Sequence, residues 1–342
     1  MPVAASWPWQ RCAAVLVGAA AAFGAMPSRA GGDPVPAPQA RQWLQRVQIA
    51  AAQRNYQGTL VVTGAGAISS SRITHYCEGV QSYERVDMLD GQPRRVLRKN
   101  DQTLTLWPAA KVARIEQRES IPPFPALLKG SEDQLLDRYE LLAEGPGRLA
   151  GHEAAVFLLR PRDGHRFAQR LWSEQSTGLL LRADVLAADG RVLETSAFSD
   201  LTIGAKAKPE SVSAALKQLD GWRVLKPVHQ RTELEAEGWQ LKVPLPGFHL
   251  KSCIKRQLET TAGTSQSPAA PDVVQAVFTD GLTHVSLFIE PLQVDRHRPG
   301  SATTGATHTW MQPVGSSHWV TVMGDVPMAT LKQFAQALER RR

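Results

Sequence analysis

The chain is punctuated by dipeptides that leave an alternating run little choice of neighbour. Asp90-Gly91, Asn100-Asp101, Asp163-Gly164, Asp189-Gly190 and Asp280-Gly281 each sit between short runs that are β-branched or alternate apolar with polar. A two-residue turn of this kind joins strands that must be antiparallel neighbours. Tyr56 to Thr63, Arg72 to Cys77, Gln81 to Leu89, Arg95 to Lys99, Thr103 to Trp107 and Lys111 to Glu116 form a first series. Tyr139 to Leu142, Glu153 to Leu159, Arg166 to Trp172, Leu179 to Leu186 and Val192 to Phe198 form a second. Together they predict one meander of roughly ten strands, a size at which a sheet curls, closes or splits.

Around these runs the pattern changes. Asp33 to Pro38 is Pro-rich and reads as an extended leader. Arg41 to Arg54 places Trp43, Leu44, Val47, Ala50 and Ala51 on one helical face and predicts an amphipathic helix. Ser120 to Gly130 holds Pro122, Pro123 and Pro125 together with Phe124, Leu127 and Leu128. Three prolines exclude a central strand, so the segment is either a lid over a concave face or a buried crossover. Pro209 to Leu219, with Gly221 past its end, predicts a short helix inside a linker, residues 206–238.

That linker divides a first domain, residues 39–205, from a smaller second one, residues 239–342. Strands in the latter are expected at Gln240 to Val243, Ser252 to Leu258, Val274 to Thr279, His284 to Glu290, Thr307 to Gln312 and Ser317 to Met323. Met328 to Leu338 predicts a closing helix, with Arg340 to Arg342 complementing its negative end. Thr260 to Pro271 and Arg296 to Thr304 are polar and read as loops. The fold class is mostly β (α+β): a large antiparallel sheet with helices on it, plus a smaller α+β domain.

The first thirty residues read as a secretory leader. Arg11 precedes a short apolar run, Ala13 to Phe23, and Ser28-Arg29-Ala30 fits the small-x-small cleavage rule, which predicts a mature start at Gly31. The run is about half of the roughly 20 residues that a membrane helix needs. Cys12 lies before it, where a lipoprotein's cysteine would follow. The chain is therefore expected to be exported. The formal charge of +7 falls to +5 without Arg11 and Arg29, and its cations are dispersed among acids. Nucleic acid suits that pattern poorly, whereas an anionic lipid or an acidic polypeptide suits it better.

Catalytic signatures are missing. There is no G-x-S-x-G elbow, and Gly64-Ala65-Gly66 lacks a third glycine and a following helix. Neither Cys77 nor Cys253 has an activating neighbour in sequence, and whether the two pair is left open. His284, His297, His308 and His318 lack the tight spacing of a zinc site. No metal and no cofactor is expected, and the chain reads as a binding protein and not an enzyme. The candidate ligand surface is apolar with a basic edge: Leu104, Leu106, Trp107 and Trp172 on strands, Phe124, Leu127 and Leu128 on the proline-rich segment, and Arg94, Arg95, Arg98 and Lys99 on one hairpin arm. Such a surface suits an acyl chain with an anionic head, although each apolar residue singly also suits a core.

The chain resembles the RseB/MucB family of periplasmic regulators of the envelope-stress sigma factor. The resemblance rests on Asn55-Tyr56-Gln57-Gly58-Thr59-Leu60-Val61, Arg148-Leu149-Ala150-Gly151, Arg170-Leu171-Trp172 and Thr177-Gly178-Leu179-Leu180-Leu181 in the first domain. Leu245-Pro246-Gly247-Phe248, Ser286-Leu287-Phe288-Ile289-Glu290 and His318-Trp319-Val320-Thr321-Val322-Met323-Gly324-Asp325-Val326-Pro327 carry it through the second. Gly64 to Ser71, without a long polar hairpin arm, and Thr260 to Pro271, longer than usual, depart from the pattern.

The resemblance implies a half-barrel first domain of the LolA/LolB type. It also implies a job: binding the periplasmic part of a transmembrane anti-sigma factor, shielding it from regulated proteolysis, and letting go when lipopolysaccharide or a lipoprotein acyl chain binds. His284, Phe288, Glu290, Trp310, His318 and Trp319 are the expected partner contacts, and the linker is where the domains could shift. A homo-oligomer is left open. The rival reading is a lipid or lipoprotein carrier, for which the first domain alone would suffice.

Overall fold

The computed structural model describes residues 32–117, 124–206, 212, 214, 218–227, 229–257 and 272–341. The secretory leader, Ser120 to Pro123, most of the helix expected at Pro209 to Leu219, and the loop Thr260 to Pro271 lie outside the described residues.

In chain order, β1 (Asp33–Pro34) and helix α1 (Ala37–Gln53) lead into six strands: β2 (Tyr56–Gly64), β3 (Ala67–Glu78), β4 (Gln81–Met88), β5 (Arg95–Lys99), β6 (Gln102–Trp107) and β7 (Val112–Gln117). Helix α2 (Glu132–Arg138) precedes β8 (Tyr139–Leu149), β9 (His152–Pro161), β10 (Ala168–Glu174), β11 (Leu180–Leu186) and β12 (Val192–Ile203). The remainder holds β13 (Arg223–Leu225), β14 (His229–Arg231), β15 (Trp239–Leu241), β16 (His249–Gln257), β17 (Asp272–Thr279), β18 (His284–Pro291), β19 (Gly300–Thr304), β20 (Thr307–Val314) and β21 (His318–Gly324). Helix α3 (Met328–Ala337) and β22 (Leu338–Arg340) close it.

The mostly β expectation holds, with its order corrected. The first sheet runs β1-β8-β9-β10-β11-β12-β2-β3-β4-β5-β6-β7-β13, so the second series stands before the first and β12 pairs with β2. After β1 at one edge and helix α1, the chain enters mid-sheet at β2, steps outward through β3 to β7, and takes up pairing again beside β1 as β8. Hairpin turns specify only neighbours adjacent in sequence, so they carry no information about that join. Two edge strands escaped the pattern. Both are short, and β13 pairs with β7 in parallel.

Three smaller expectations also change. Helix α1 begins at Ala37, earlier than Arg41, because Pro38 sits in the first turn, where no N–H is required. Arg296 to Thr304 is not all loop: β19 pairs with β20 along Gly300↔Met311 to Thr304↔Thr307. As an outer strand it keeps polar Ser and Thr exposed, which hides it among loop residues. The closing helix stops at Ala337, and Arg340 lies in a strand paired to β15 and stacked on Trp239 instead of at a helix end.

The faces of the first sheet follow from register. Helix α1 buries Ala40, Leu44, Val47, Ala50 and Ala51 against Leu171, Leu180 and Phe198. Trp43 Nε1 donates to Ser173 Oγ at 2.9 Å and thereby fixes the helix along β10. Each leucine buried here contributes roughly 1.5–3 kcal/mol. Ile73, Val86 and Val96 share the α1 face through the ladders Ile73↔Val86 and Val86↔Val96. Alternation then turns Tyr76, Tyr83, Leu97, Leu104 and Leu106 to the opposite face, where they form a separate apolar cluster with Ala205 and Val212. The second sheet, β14-β16-β17-β18-β21-β20-β19, has α3 on one face, with Val285, Leu287, Val320, Val322, Leu331 and Phe334 at its core.

Candidate functional site

The two sheets meet through a built junction. The β17–β18 turn, Asp280-Gly281, enters the first domain, and Leu282 joins that domain's core. The amides of Lys129 and Gly130 both donate to Gly281 O, at 2.8 and 3.3 Å. Gly281 has φ 97°, and a Cβ there would lie 2.6 Å from Gly130 Cα, so both conformation and contact require glycine.

Behind it, Asp280 is fully buried and accepts from Arg166 Nε at 2.5 Å and Tyr139 Oη at 2.9 Å. Arg166 also reaches Asp163 at 2.6 Å and Pro246 O at 2.8 Å, and lies 4.5 Å over the Phe248 ring. Burial works against its charge, but Asp280 and Asp163 outweigh burial and hold its pKa above the usual arginine value. Burial first, then Asp280, raises Tyr139 well above the phenol range, so it stays a donor. Sequence reading saw Asp280-Gly281 as a hairpin turn, and nothing in its local pattern signals a partner more than a hundred residues away. Sliding the domains about the linker would break this set of contacts.

The residues expected to hold lipid are divided by the fold. Leu104 and Leu106 are buried on the face away from α1, whereas Trp107 alternates onto the α1 face. Phe124 and Leu128 pack into the α1 core, 5 % and 4 % exposed, with Phe124 5.5 Å from the Phe198 ring. Leu127 is half-buried beside them. Trp172 turns away from α1, since its neighbours Leu171 and Ser173 face the helix, and it carries Arg182 4.5 Å above its ring. Arg94 is exposed, Arg95 pairs with Asp87, and Arg98 pairs with Glu84.

The expected partner contacts also separate. His284, Phe288 and Glu290 share the β18 face opposite α3, and Trp319 joins them through Glu290↔Trp319. Trp319 is buried there under His297, whose ring stacks at 4.6 Å. Trp310 and His318 lie on the α3 face, against Lys332 and Trp239. Burial lowers His284 from the ordinary histidine range.

That outer face of the second sheet looks onto the α1 face of the first across a cavity of about 450 Å³. Arg98 and Glu116 come from the first sheet, and Arg231, Lys251, Ile254 and Arg256 from the second. Glu84, Thr103 and Glu116 occupy the same face as Arg98 through Glu84↔Arg98 and Thr103↔Glu116. Arg114 Nε stands 3.2 Å from Glu116 Oε1, a close ion pair too far off line to be a hydrogen bond. The floor on this side is thus polar. Sequence reading found Arg98 but missed Arg231, Lys251 and Arg256, because only pairing of β14 with β16 aligns them.

Cys77 and Cys253 are free thiols. Burial raises the pKa of each, that of Cys253 to about 11 with help from Glu237, and Cys77 Sγ lies 3.3 Å from His75 Nε2, a neighbour two residues away that the sequence expectation overlooked. Among the described residues no helix is long and apolar enough to cross a membrane.

Known proteins place this architecture. The family description MucB/RseB N-terminal domain matches residues 39–216, and MucB/RseB C-terminal domain matches residues 233–339. The sigma factor AlgU regulatory protein MucB of Pseudomonas aeruginosa is 30% identical over 312 residues, covering 89% of this chain and 93% of its own. The sigma-E factor regulatory protein RseB of Escherichia coli K12 is 21% identical, covering 86% and 89%. A crystal structure of MucB in complex with MucA(peri) superposes with a TM-score of 0.66 at 27% identity, covering 89% of this chain and 99% of that one. MucB alone gives 0.63 at 26% identity, covering 89% and 98%. The chain belongs to the MucB/RseB family.

Proposed function

We propose that this chain is a periplasmic negative regulator of the envelope-stress response that binds the periplasmic part of a transmembrane anti-sigma factor and shields it from proteolysis. The observation that carries this reading is full-length likeness to MucB, whose solved forms include complexes with MucA. The relatives are named as regulatory proteins, and both domains are matched, which a lipid carrier would not need. The outer face of β18, with His284, Phe288 and Glu290, supplies partly open side chains for the contact. The test is calorimetric titration of the full chain with the periplasmic segment of the anti-sigma factor from the same genome. A Kd at or below about 1 μM, near −8 kcal/mol, is expected. No heat of binding at tenfold higher concentration sinks the reading.

Release by an anionic, multi-acyl lipid is the second part of the proposal. A ligand loosens a partner only by binding the released state more tightly, and each buried methylene adds roughly 0.8 kcal/mol. An acyl chain would enter by displacing Phe124, Leu127 and Leu128 from the α1 core. Leu127→Asp, at the half-buried position, leaves the core filled and makes entry costly. Lipid should then release labelled anti-sigma segment from wild type at lower concentration than from the variant. Equal release by both removes this part.

A further inference from the structure

We infer that Cys77 is a modification site, a thiol that His75 deprotonates on attack and that takes up a mixed disulfide from a small, soluble disulfide. This site stands apart from the partner-binding reading above and does not depend on it.

Register builds the cluster. The pairings Tyr56↔His75, His75↔Glu84 and Glu84↔Arg98 set four side chains in one row across β2, β3, β4 and β5. Cys77 follows His75 by two residues on β3, so pleat alternation gives both the α1 face. Its sulfur lies 3.3 Å from His75 Nε2 and donates at 2.8 Å to Ala52 O, in the last turn of α1. On the other side of the ring, Glu84 Oε2 stands 4.0 Å from His75 Nδ1, a charge contact and not a hydrogen bond. Arg98 holds Glu84 through its other oxygen, and Tyr56 stacks on the imidazole with ring centroids 5.1 Å apart. Nucleophile, base and a carboxylate behind the base thus stand in the order in which a thiol is activated.

The protonation states agree with that order. Burial keeps His75 below the ordinary histidine range, against Glu84 and the Ala52 carbonyl, so the ring is uncharged at pH 7. Glu84 beside Nδ1 favours the tautomer that carries its proton there, which leaves Nε2 to accept from the sulfur. Burial raises Cys77, so the resting sulfur is a thiol and not a thiolate. Burial first, then Glu84, raises Tyr56, which stays an uncharged phenol. Reactivity therefore comes from the base at the moment of attack. His75 takes the thiol proton as the Cys77 sulfur bonds to one sulfur of the disulfide and breaks its S–S bond. The departing thiolate recovers that proton from His75 and leaves as a thiol. The charged ring formed in between is favoured by Glu84 and by the Ala52 carbonyl.

The disulfide comes from outside the chain. Cys253, the other cysteine among the described residues, is buried in the core of the second sheet, and burial with Glu237 lifts it to about 11. Cys77 is only half-buried. An adduct there gives up the bond to Ala52 O and so bears on the end of α1, which Asn55 also ties to β3 by accepting from the Cys77 amide at 2.9 Å.

The experiment incubates the full chain with excess oxidised glutathione and reads the adduct at each cysteine by mass spectrometry of peptides. Cys77 should be modified at least tenfold faster than Cys253. Between pH 7 and pH 8.5 the wild-type rate at Cys77 should change less than about threefold, because uncharged His75 supplies the base throughout. His75→Gln should react at least tenfold more slowly at pH 7 and gain about tenfold per pH unit, as a bare thiol does below its pKa. Glu84→Gln, which leaves the base in place, should fall between the two. If His75→Gln is unfolded by circular dichroism, the wild-type profile decides alone. A wild-type rate that itself climbs about tenfold per pH unit overturns the inference, and so does equal modification of both cysteines. Hydrogen exchange should be at least tenfold faster over residues 48–53 in the adduct, and unchanged exchange there overturns the link to α1.

Discussion

Removing the carboxylate of Asp280 tests whether the junction of the two domains holds the molecule together. Asp280→Ala takes away the acceptor of Arg166 Nε and Tyr139 Oη, and also of the turn amides of Leu282 at 3.0 Å and Thr283 at 2.8 Å. Breaking a buried ion pair by deleting one partner costs about 3–5 kcal/mol, because the other charge is left in a dry interior. Here Arg166 keeps Asp163 and the carbonyl of Pro246, so the lower end applies, about 3 kcal/mol. At about 2–4 °C per kcal/mol for domains of this size, the melting temperature should fall by about 6–12 °C. Asp280→Asn keeps an oxygen for the turn amides and loses the charge, so about 1.5–3 kcal/mol is expected. Urea unfolding followed by tryptophan fluorescence measures both. Arg166→Met combined with Asp280→Leu replaces the pair by apolar groups and should recover most of the loss. A melt of Asp280→Ala within 1 kcal/mol of wild type refutes the reasoning, since it would mean that the junction opens freely.

Leu104→Ala should destabilise the first domain by about 2–4 kcal/mol, because the side chain is fully buried in the cluster beneath the linker. The same variant should leave lipid-driven release of the anti-sigma segment at its wild-type midpoint, since Leu104 faces away from α1; a shifted midpoint in folded protein counts against that placement. Acid should also weaken the fold through His75. Burial depresses its pKa, only partly offset by Glu84, so the unfolded state binds more protons below the ordinary value of about 6.5. Stability is then present above that pH and lost as pH falls through it. In urea melts between pH 7 and pH 5, His75→Gln should flatten this slope, and an unchanged slope removes His75 as its source.

What the sequence made legible is the part governed by near neighbours. Arg95 to Lys99 was read to the residue, and most other strands within a residue or two, because alternation and two-residue turns act locally. Pleat alternation sets Leu104 and Leu106 on the face opposite Trp107, although the sequence expectation had placed all three on one ligand surface. It could not say which face would be covered by α1 and which by the linker, and that choice decides whether a leucine lines a cavity or fills a core. The pairing of β12 with β2, the parallel edge β13 and the insertion of Leu282 into the first core all depend on contacts far apart in sequence.

The site follows the same division. A dispersed basic excess already favoured an acidic polypeptide or an anionic lipid, and the fold brings Arg98, Arg231, Lys251 and Arg256 to the lining of one cavity. Arg231 lies on β14 and Arg256 on β16, and pairing His229↔Arg256 and Arg231↔Ile254 puts both on one face. Lys251 enters beside them, and Arg98 arrives from a strand more than a hundred residues earlier. None of these spacings resembles a motif, since each cation is separated from the next by turns, a linker or a whole domain. The junction at Asp280 fixes how the two faces stand, so the cleft is as rigid as that ion pair. A loosened junction should therefore change affinity for the anti-sigma segment proposed above as well as stability, and equal calorimetric affinity of Asp280→Ala and wild type refutes that link.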